Sequence, residues 1–234
     1  MEFTERQHAF ISAAFYRALG EQNLPNYRDA FRLAVRMYAE QRGFRMAQRA
    51  IRDGKPLSFP AYRHYKEWSP TPEAGEEFPN SAELYMENGN LMTRVFACPW
   101  SAQYLEMGLL EGAMDYCEDL DVAICRGFNP KLHYELKQVI HEKQDYCLHC
   151  HHNPEAEMDA EFGPPKPQNQ RDFAYHCGHV YFTLSRVLTA VYGSVMPGIC
   201  TRVIEEFAGA YGQEMADVVL QYRAWDFDVI ESEG

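Results

Sequence analysis

The stretch that decides the fold begins at Cys98-Pro99-Trp100, passes through Asp115-Tyr116-Cys117-Glu118-Asp119-Leu120-Asp121 and ends at Asp145-Tyr146-Cys147-Leu148-His149-Cys150-His151-His152. It contains five of the seven cysteines and five of the nine histidines of the chain. Thiols and imidazoles commonly act as nucleophiles, bases and metal ligands. The pattern therefore predicts that this stretch carries the chemistry and that the rest of the chain supports it.

An Asn-Gly turn before this stretch predicts a β-hairpin. Glu87-Asn88-Gly89-Asn90 separates apolar runs at residues 82–86 and 91–97, and Asn-Gly between such runs favours a tight turn with positive φ angles. Apolar and turn patterns predict two further strands, over residues 132–140 and 145–152. We therefore expect an antiparallel β-sheet packed against several α-helices, which is an α+β fold.

A single central helix is predicted between the hairpin and the later strands. Pro99 is acceptable as a first helical residue, and apolar residues recur on one stripe as far as Arg126. Gly127 follows the stripe and predicts the end of the helix. Helical patterns also occupy residues 1–55 and 172–226, so we expect helical segments at both ends of the chain.

The whole chain is predicted to form one domain, 1–234, with the sheet and the central helix at 82–152. Its 46% apolar and 24% charged residues are sufficient for a full hydrophobic core. Residues 153–171 are rich in proline and acidic side chains. A loop of that length is usually either functional or disordered, and a lid is one interpretation.

Charge and cysteine content limit the function classes. A net charge of -12 disfavours nucleic acid and anionic membranes, because both attract basic surfaces. Seven scattered cysteines, an odd number, argue against a secreted disulfide framework. The amino terminus lacks a targeting pattern and uninterrupted apolar runs are short, which favours a cytoplasmic location. We expect a small-molecule substrate and no cofactor, and an assembly of identical chains is left open.

Cys117, Asp121 and Cys125 are spaced by four residues, so they would share one edge of the central helix. A carboxylate four residues from a thiol can act as its base or anchor a substrate by hydrogen bonds. The alternative is that a cysteine beside an apolar stripe is a small hydrophobic residue. Both interpretations stay open at this point.

Strand alternation groups Cys147, His149 and His151 on one face of the last predicted strand and turns Cys150 to the other. A histidine two residues from a cysteine on one face can stabilise the thiolate and transfer protons near neutral pH. The first face is therefore predicted to be chemical and the second to be packed. An exposed edge strand with hydrated histidines is the alternative.

A metal site is the alternative to cysteine and histidine acting as nucleophile and base. Cys147-Leu148-His149-Cys150-His151 matches the Cys-x-x-Cys-His pattern of haem attachment, and together with His176 and His179 it loosely matches a zinc pattern. Haem attachment requires an exported chain. A zinc site is disfavoured if the segment is a strand, because Cys147 and Cys150 would then point to opposite faces. We expect no metal, although a metal-dependent enzyme or a sensor is the competing hypothesis.

Further candidates concern substrate binding. Cys98 directly precedes the predicted helix, whose amino-terminal N–H groups would lower a thiol pKa and stabilise negative charge. Arg94 is predicted to share a strand face with Cys98 and is a candidate for binding a carboxylate, with a salt bridge to a surface acid as the alternative. His176 and His179 lie on adjacent turns of one helix face and are further candidates for substrate binding, with a polar seam between helix and sheet as the alternative.

Several of these segments resemble one known family, the L-2-amino-thiazoline-4-carboxylic acid hydrolases. The resemblance is carried by Cys98-Pro99, the spacing to Asp115–Asp121, the turn Asn129-Pro130-Lys131-Leu132, the ending Asp145-x-Cys147, and the helix text Arg36-Met37-Tyr38-Ala39-Glu40-Gln41-Arg42-Gly43 to Ala50-Ile51-Arg52-Asp53-Gly54-Lys55-Pro56-Leu57. It covers most of residues 30–152, and the last eighty residues contribute little to it.

The resemblance implies an α+β domain that opens a cyclic isothiourea-type ring by hydrolysis to an N-carbamoyl amino acid. Carried over residue by residue, the family pattern places Cys98, Cys117, Asp121, Asp145 and Cys147 in the site, and we take Asp145 as a substrate-binding candidate.

The chain departs from the family pattern beside its last cysteine. The family tends to have a glycine-aspartate pair before that cysteine and an aromatic residue two places after it. Here these places hold Lys143-Gln144 and His149, so an altered chemistry or a different substrate is expected.

The mechanism that fits both lines of reasoning is an attack on the electrophilic ring carbon. The attacking group would be the thiolate of Cys98 or Cys147, or a water activated by Asp121 or His149. His149 or His176 would then protonate the leaving sulfur or nitrogen.

Overall fold

A computed structural model describes residues 2–142, 144–154 and 165–230. The middle of the predicted lid, residues 155–164, lies outside the described residues. Ten α-helices and four strands occupy the described part. The helices are α1 (Glu5–Glu21), α2 (Tyr27–Arg52), α3 (Phe59–His64), α4 (Pro72–Glu77), α5 (Pro99–Glu106), α6 (Leu110–Cys117), α7 (Leu120–Phe128), α8 (Phe173–Tyr192), α9 (Met196–Tyr211) and α10 (Gln213–Gln221). The strands are β1 (Ala82–Glu87), β2 (Asn90–Val95), β3 (Tyr134–Gln138) and β4 (Cys147–His151).

The predicted hairpin and antiparallel sheet are confirmed. Asn88 and Gly89 have φ angles of 51° and 77°, the positive values that a tight two-residue hairpin turn requires. The four strands pair in the order β1-β2-β4-β3, and every pair is antiparallel. Helices precede and follow this sheet, so the predicted α+β class is also confirmed.

The prediction of one central helix was wrong, because three short helices take its place. Gly108 has a φ of 70° and ends α5, since left-handed backbone cannot continue a right-handed helix. A second break follows Cys117, where Asp119 leaves helical geometry at φ -117°. Gly127 lies inside α7 and does not end it. The apolar stripe continued across both breaks and concealed them.

Helices from both ends of the chain form the larger hydrophobic core. Residues of α1, α2 and α8 are buried there with parts of α5, α6, α9 and α10. A second core lies between α2, α3, α7 and the sheet. Helix α2 contributes to both cores, so its two sides connect the helical layer to the sheet.

Helices α2 and α7 touch backbone to backbone through two glycines. A Cβ atom added to Gly43 would overlap the backbone of Ile124 and Phe128, and one added to Gly127 would overlap that of Glu40. Arginines of α2 also form ion pairs with acidic residues near this contact. Arg36, for example, pairs with Asp119, the residue before α7. The close contact places α7, with Asp121 in its first turn, against the sheet.

One helical stretch, Pro167–Tyr211, is long and apolar enough to cross a membrane by length and composition alone. A single stretch of this kind is weak evidence, because helices that pack in the core of a protein meet the same criterion. Helix α8, which belongs to it, packs against α1 and α2. The expectation that membranes are not partners therefore stays a prediction.

Candidate functional site

The sheet face that carries Cys147, His149 and His151 faces the first turn of α7. The register pairs Leu136 with His149 and Tyr134 with His151. The hydroxyl of Tyr134 lies 2.5 Å from Nδ1 of His149. Oδ2 of Asp121 lies 3.9 Å from the same nitrogen. The alternation predicted for this strand is therefore correct, and His149 has Tyr134 and Asp121 as neighbours.

Three thiols from distant parts of the sequence come together beside Asp121. Cys98 is the residue before α5, Cys117 ends α6 and Cys147 begins β4. Burial raises the pKa of Cys117 far above its usual range, and Cys98, Asp121 and Cys147 raise it further as neighbouring negative groups. All three cysteines are partly exposed as residues. The four side chains therefore lie close together, although the single helix predicted to join two of them does not exist.

Cys117 is paired with a histidine that sequence reasoning missed. Its Sγ lies 3.8 Å from Nε2 of His141, and Nδ1 of His141 lies 3.4 Å from Oγ of Ser101. His141 is in the 3-10 turn Ile140–Glu142, where the backbone N–H of Ile140 also donates to Sγ of Cys147 at 3.3 Å. Among the described residues, Cys117 is the one thiol of this cluster with an imidazole nitrogen within hydrogen-bond distance.

Burial dominates the protonation of these groups. It raises the pKa of Cys98 to about 11, although the backbone N–H groups of Ser101 and Trp100 act in the opposite direction. The predicted lowering of the Cys98 pKa by the helix terminus is therefore present but outweighed. Burial also lowers the pKa of His141. A neutral His141 at pH 7 can accept a proton from a neighbouring thiol.

The polar groups around the thiols combine exposure with desolvation. The side chain of Asp121 is 44% exposed in spite of its neighbours. Lys66 is exposed as well, yet desolvation lowers its pKa, with Arg63 adding to the effect and Asp121 opposing it. Such a combination is typical of a cleft lining. Lys66 is therefore a cationic neighbour of Asp121 that sequence reasoning missed.

Arg94 and Asp145 do not join this cleft. Arg94 is paired with Leu148 in the register and projects from the face opposite His149. There it forms an ion pair with Glu83 at 3.2 Å and packs over the rings of Tyr85 and Tyr146. The expectation that Arg94 binds substrate with Cys98 is therefore wrong, because strand alternation turns it away. Asp145 is exposed in the bend before β4.

His176 and His179 lie in the helical core on α8. His179 is hydrogen-bonded to Gln41 at 2.8 Å and approaches Arg45 at 3.3 Å. His176 is buried beside Phe173. Within the described residues, no hydrogen bond or ion pair joins either histidine to the three thiols.

The alternative metal set is not assembled. Cys147 and Cys150 lie on opposite faces of β4, as strand alternation predicted. Among the described residues, the potential metal ligands that come together include neither Cys147 nor the two histidines of α8, His176 and His179. The hypothesis of a metal site built from these four residues was therefore wrong.

A different group of potential metal ligands lies on the other face of the sheet. The ligand atoms of Glu135, Cys150 and His152 are all within 4.8 Å of one another. Glu135 also forms an ion pair with Lys137 at 3.2 Å. An ammonium group at that position competes with a cation for the same carboxylate. This group is separate from the cleft, because Cys150 and His149 point to opposite faces.

Comparison with known protein families matches residues 4–150 to the family described as L-2-amino-thiazoline-4-carboxylic acid hydrolase. The match covers more than half of the chain and includes Cys98, Cys117, Asp121, His141 and Cys147. No curated protein matched the chain. No solved structure matched it either.

Proposed function

The chain belongs to the L-2-amino-thiazoline-4-carboxylic acid hydrolase family, and we propose that it opens a small cyclic isothiourea or amidine ring to an N-carbamoyl amino acid. The observation that carries the proposal is the Cys117–His141 contact beside the partly exposed carboxylate of Asp121. A thiol with a neighbouring neutral imidazole is the arrangement that nucleophilic catalysis by cysteine requires.

The orientation of His141 supports its role as the base. With the proton on Nδ1 donated to Oγ of Ser101, the free electron pair of Nε2 faces Sγ of Cys117. Ser101 therefore acts as a positioning residue that selects the useful tautomer. The raised pKa of Cys117 means that its thiolate forms only as the proton moves to His141 during attack.

The first half of the reaction forms a bond from Sγ of Cys117 to the ring carbon that is bonded to sulfur and two nitrogens. The bond from this carbon to the ring sulfur then breaks, and protonated His141 gives the departing sulfur its proton. The product is an isothiourea linked to Cys117, with the former ring sulfur now a free thiol.

The second half of the reaction releases the product. His141, neutral again, takes a proton from a water as its oxygen adds to the same carbon. The bond to Cys117 breaks and the thiol regains its proton from His141. One water is consumed, and the carbon leaves as the carbonyl of an N-carbamoyl group.

Asp121 and His149 are proposed to hold the amidine end of the substrate. An accessible carboxylate can accept two parallel hydrogen bonds from amidine N–H groups, which positions the carbon between them. Tyr134 fixes the ring of His149 through its hydroxyl contact. These contacts would place the reacting carbon next to Cys117.

The first test measures hydrolysis of 2-amino-thiazoline-4-carboxylate and a panel of related cyclic isothioureas. Wild-type protein should release an N-carbamoyl product that carries the former ring sulfur as a free thiol. Cys117→Ala should lose about 10³-fold or more in kcat, because it removes the nucleophile. His141→Gln should lose about 10²–10⁴-fold in kcat, because it removes the base. Cys200→Ala, on α9 and outside the site, is the matched control and should retain activity.

Two results would overturn parts of this proposal. If Cys117→Ala retains turnover while Asp121→Asn or His149→Gln loses it, a water activated by Asp121 or His149 is the attacking group. If no ring in the panel is opened by wild-type protein, the proposed reaction is wrong.

A further inference from the structure

Arg42 is a buried cation without an acidic partner. Its side chain on α2 is only 5% exposed, and its guanidinium packs over the rings of Tyr38 and Trp68 at 5.7 and 5.8 Å. Within residues 2–142, 144–154 and 165–230, no carboxylate lies within 4.0 Å of it, and its Nε donates no hydrogen bond. Nearby arginines of the same helix, Arg45 and Arg49, both bind Glu67. Buried charges are normally paired, so Arg42 is an exception that a bound anion would explain.

Two further buried polar side chains near Arg42 are incompletely hydrogen-bonded. Within the described part of the chain the hydroxyl of Tyr116 has no hydrogen-bond partner, and the ring of His176 has none besides the backbone of Glu67. Burial lowers the pKa of His176 to about 3, and the positive charge of Arg42 is the next cause. Leaving a buried polar group unpaired is unfavourable. Arg42 is near both His176 and Tyr116, so a polar ligand bound by Arg42 would also have these two groups as neighbours.

Lys66 is held beside Arg42 by the two residues that follow it. Glu67 is bound by Arg45, one turn after Arg42 on α2, and Trp68 lies against the guanidinium of Arg42 itself. Lys66 is exposed and forms no ion pair among the described residues. Two cations are therefore close together with no acid between them, which is unfavourable unless an anion occupies the site.

Asp121 adds a negative group near Lys66. Its charge acts on the pKa of Lys66 and on that of Cys117, and its Oδ2 lies 3.9 Å from Nδ1 of His149, so it is a neighbour of Lys66 and of the thiols. A ligand that fits this pattern has a negative group near Arg42 and Lys66 and a positive or hydrogen-bond-donating group near Asp121. A nearby carboxylate disfavours a dianionic phosphate more than a monoanion.

We propose that Arg42 and Lys66 form the subsite that binds the carboxylate of a small zwitterionic substrate, while Asp121 holds its amidine end. This inference rests on the proposed function for the identity of the reacting ring. It assigns the role once expected of Arg94 to two residues whose charge is unpaired among the described residues. Substrate preference would then depend on the distance between carboxylate and ring carbon.

The test separates the carboxylate from the reaction by using ligands that cannot be hydrolysed. L-thiazolidine-4-carboxylate and thiazolidine share a ring and differ in the carboxylate, and calorimetry measures the binding of each. Wild-type protein should bind the carboxylate with about 10–100-fold lower Kd than thiazolidine, since a hydrogen bond to a charged group contributes about 1.5–3 kcal/mol.

Variants of Lys66 and Arg42 test whether these two residues cause the preference for the carboxylate ligand. Lys66→Met, at an exposed position, should fold and weaken carboxylate binding by about 10-fold or more, while thiazolidine binding stays unchanged. Arg42→Gln should have a larger effect and Arg42→Lys a partial one, because a lysine keeps the charge but not the planar guanidinium. Arg186→Gln, 58% exposed on α8, is the matched control and should behave as wild type.

The outcomes distinguish this inference from the proposed function. Equal binding of the two ligands by wild-type protein, or equal losses for both ligands in Lys66→Met, would overturn the carboxylate subsite even if hydrolysis is observed. A preference for the carboxylate that depends on Lys66 and Arg42 would support the subsite even if no ring is opened. In that case the carboxylate is recognised but the reaction is a different one.

Discussion

Glu67 is a fully buried carboxylate that binds two arginines of α2. Its oxygens lie 2.6 Å from Arg45 and 2.7 Å from Arg49. Burial alone would raise the pKa of Glu67, but the two arginines lower it to about 2. The carboxylate is therefore ionised in the folded protein at every pH at which the protein is expected to be active.

Glu67→Gln should destabilise the protein at pH 7 by about 3–5 kcal/mol, because it leaves two guanidinium groups buried without a counter-charge. A pKa lowered by folding contributes stability above the unfolded value of 4.5, and this contribution is lost as the pH falls towards about 2. Urea unfolding should thus show a difference between wild type and variant that is constant above pH 5 and shrinks between pH 4.5 and pH 2. Glu76→Gln, exposed on α4, is the control. A difference that does not change with pH would contradict this account.

Predictions for single residues succeeded where side chains alternate regularly along a strand. The two-residue alternation of a strand correctly separated Cys147 and His149 from Cys150. His141 was missed because a histidine in a short 3-10 turn belongs to no periodic pattern. Arg42 was missed because α2 carries many arginines, and only the folded structure shows which of them lack an acid.

The contact between α2 and α7 depends on Gly43 and Gly127. Gly43→Ala should therefore destabilise the protein by about 1–3 kcal/mol, because the added methyl group forces two helix backbones apart. The same shift moves Asp121 on α7, so kcat should fall more than the loss of folded protein explains. Chemical unfolding and activity at equal folded concentration measure the two effects.

Gly209→Ala on α9 is the control for this substitution. A Cβ atom there meets nothing within 4 Å, so alanine should stabilise the helix by about 0.5–1 kcal/mol. If both variants changed the free energy of unfolding in the same direction and by the same amount, backbone propensity and not helix contact would be the cause.

The presence of helices and strands was predicted from the sequence more reliably than the residues at which they begin and end. The pair Asn88-Gly89 predicted the hairpin, because asparagine and glycine are among the few residues that adopt the positive φ angles of a tight hairpin turn. The interruption at Gly108 was missed because an isolated glycine within an apolar stripe is compatible with a continuous helix. The left-handed conformation of Gly108 depends on how α5 and α6 pack.

The site as a whole is assembled from segments that are far apart in sequence. Cys98, Cys117, His141 and Cys147 come from the start of one helix, the end of another, a 3-10 turn and a strand. The family resemblance predicted that the thiols share a site, but the Cys117–His141 contact depends on the break between α6 and α7 and on the turn before β4.

The central claim is that Cys117 attacks the ring carbon with His141 as its base, and one measurement tests it most directly. Wild-type protein is quenched in acid during turnover of 2-amino-thiazoline-4-carboxylate, and the modified peptide is located by mass spectrometry. The account predicts an adduct on Cys117 with a mass increase equal to the intact substrate, because the expelled sulfur stays attached through the nitrogen. An adduct on Cys98 or Cys147, or undiminished turnover by Cys117→Ala, would contradict it.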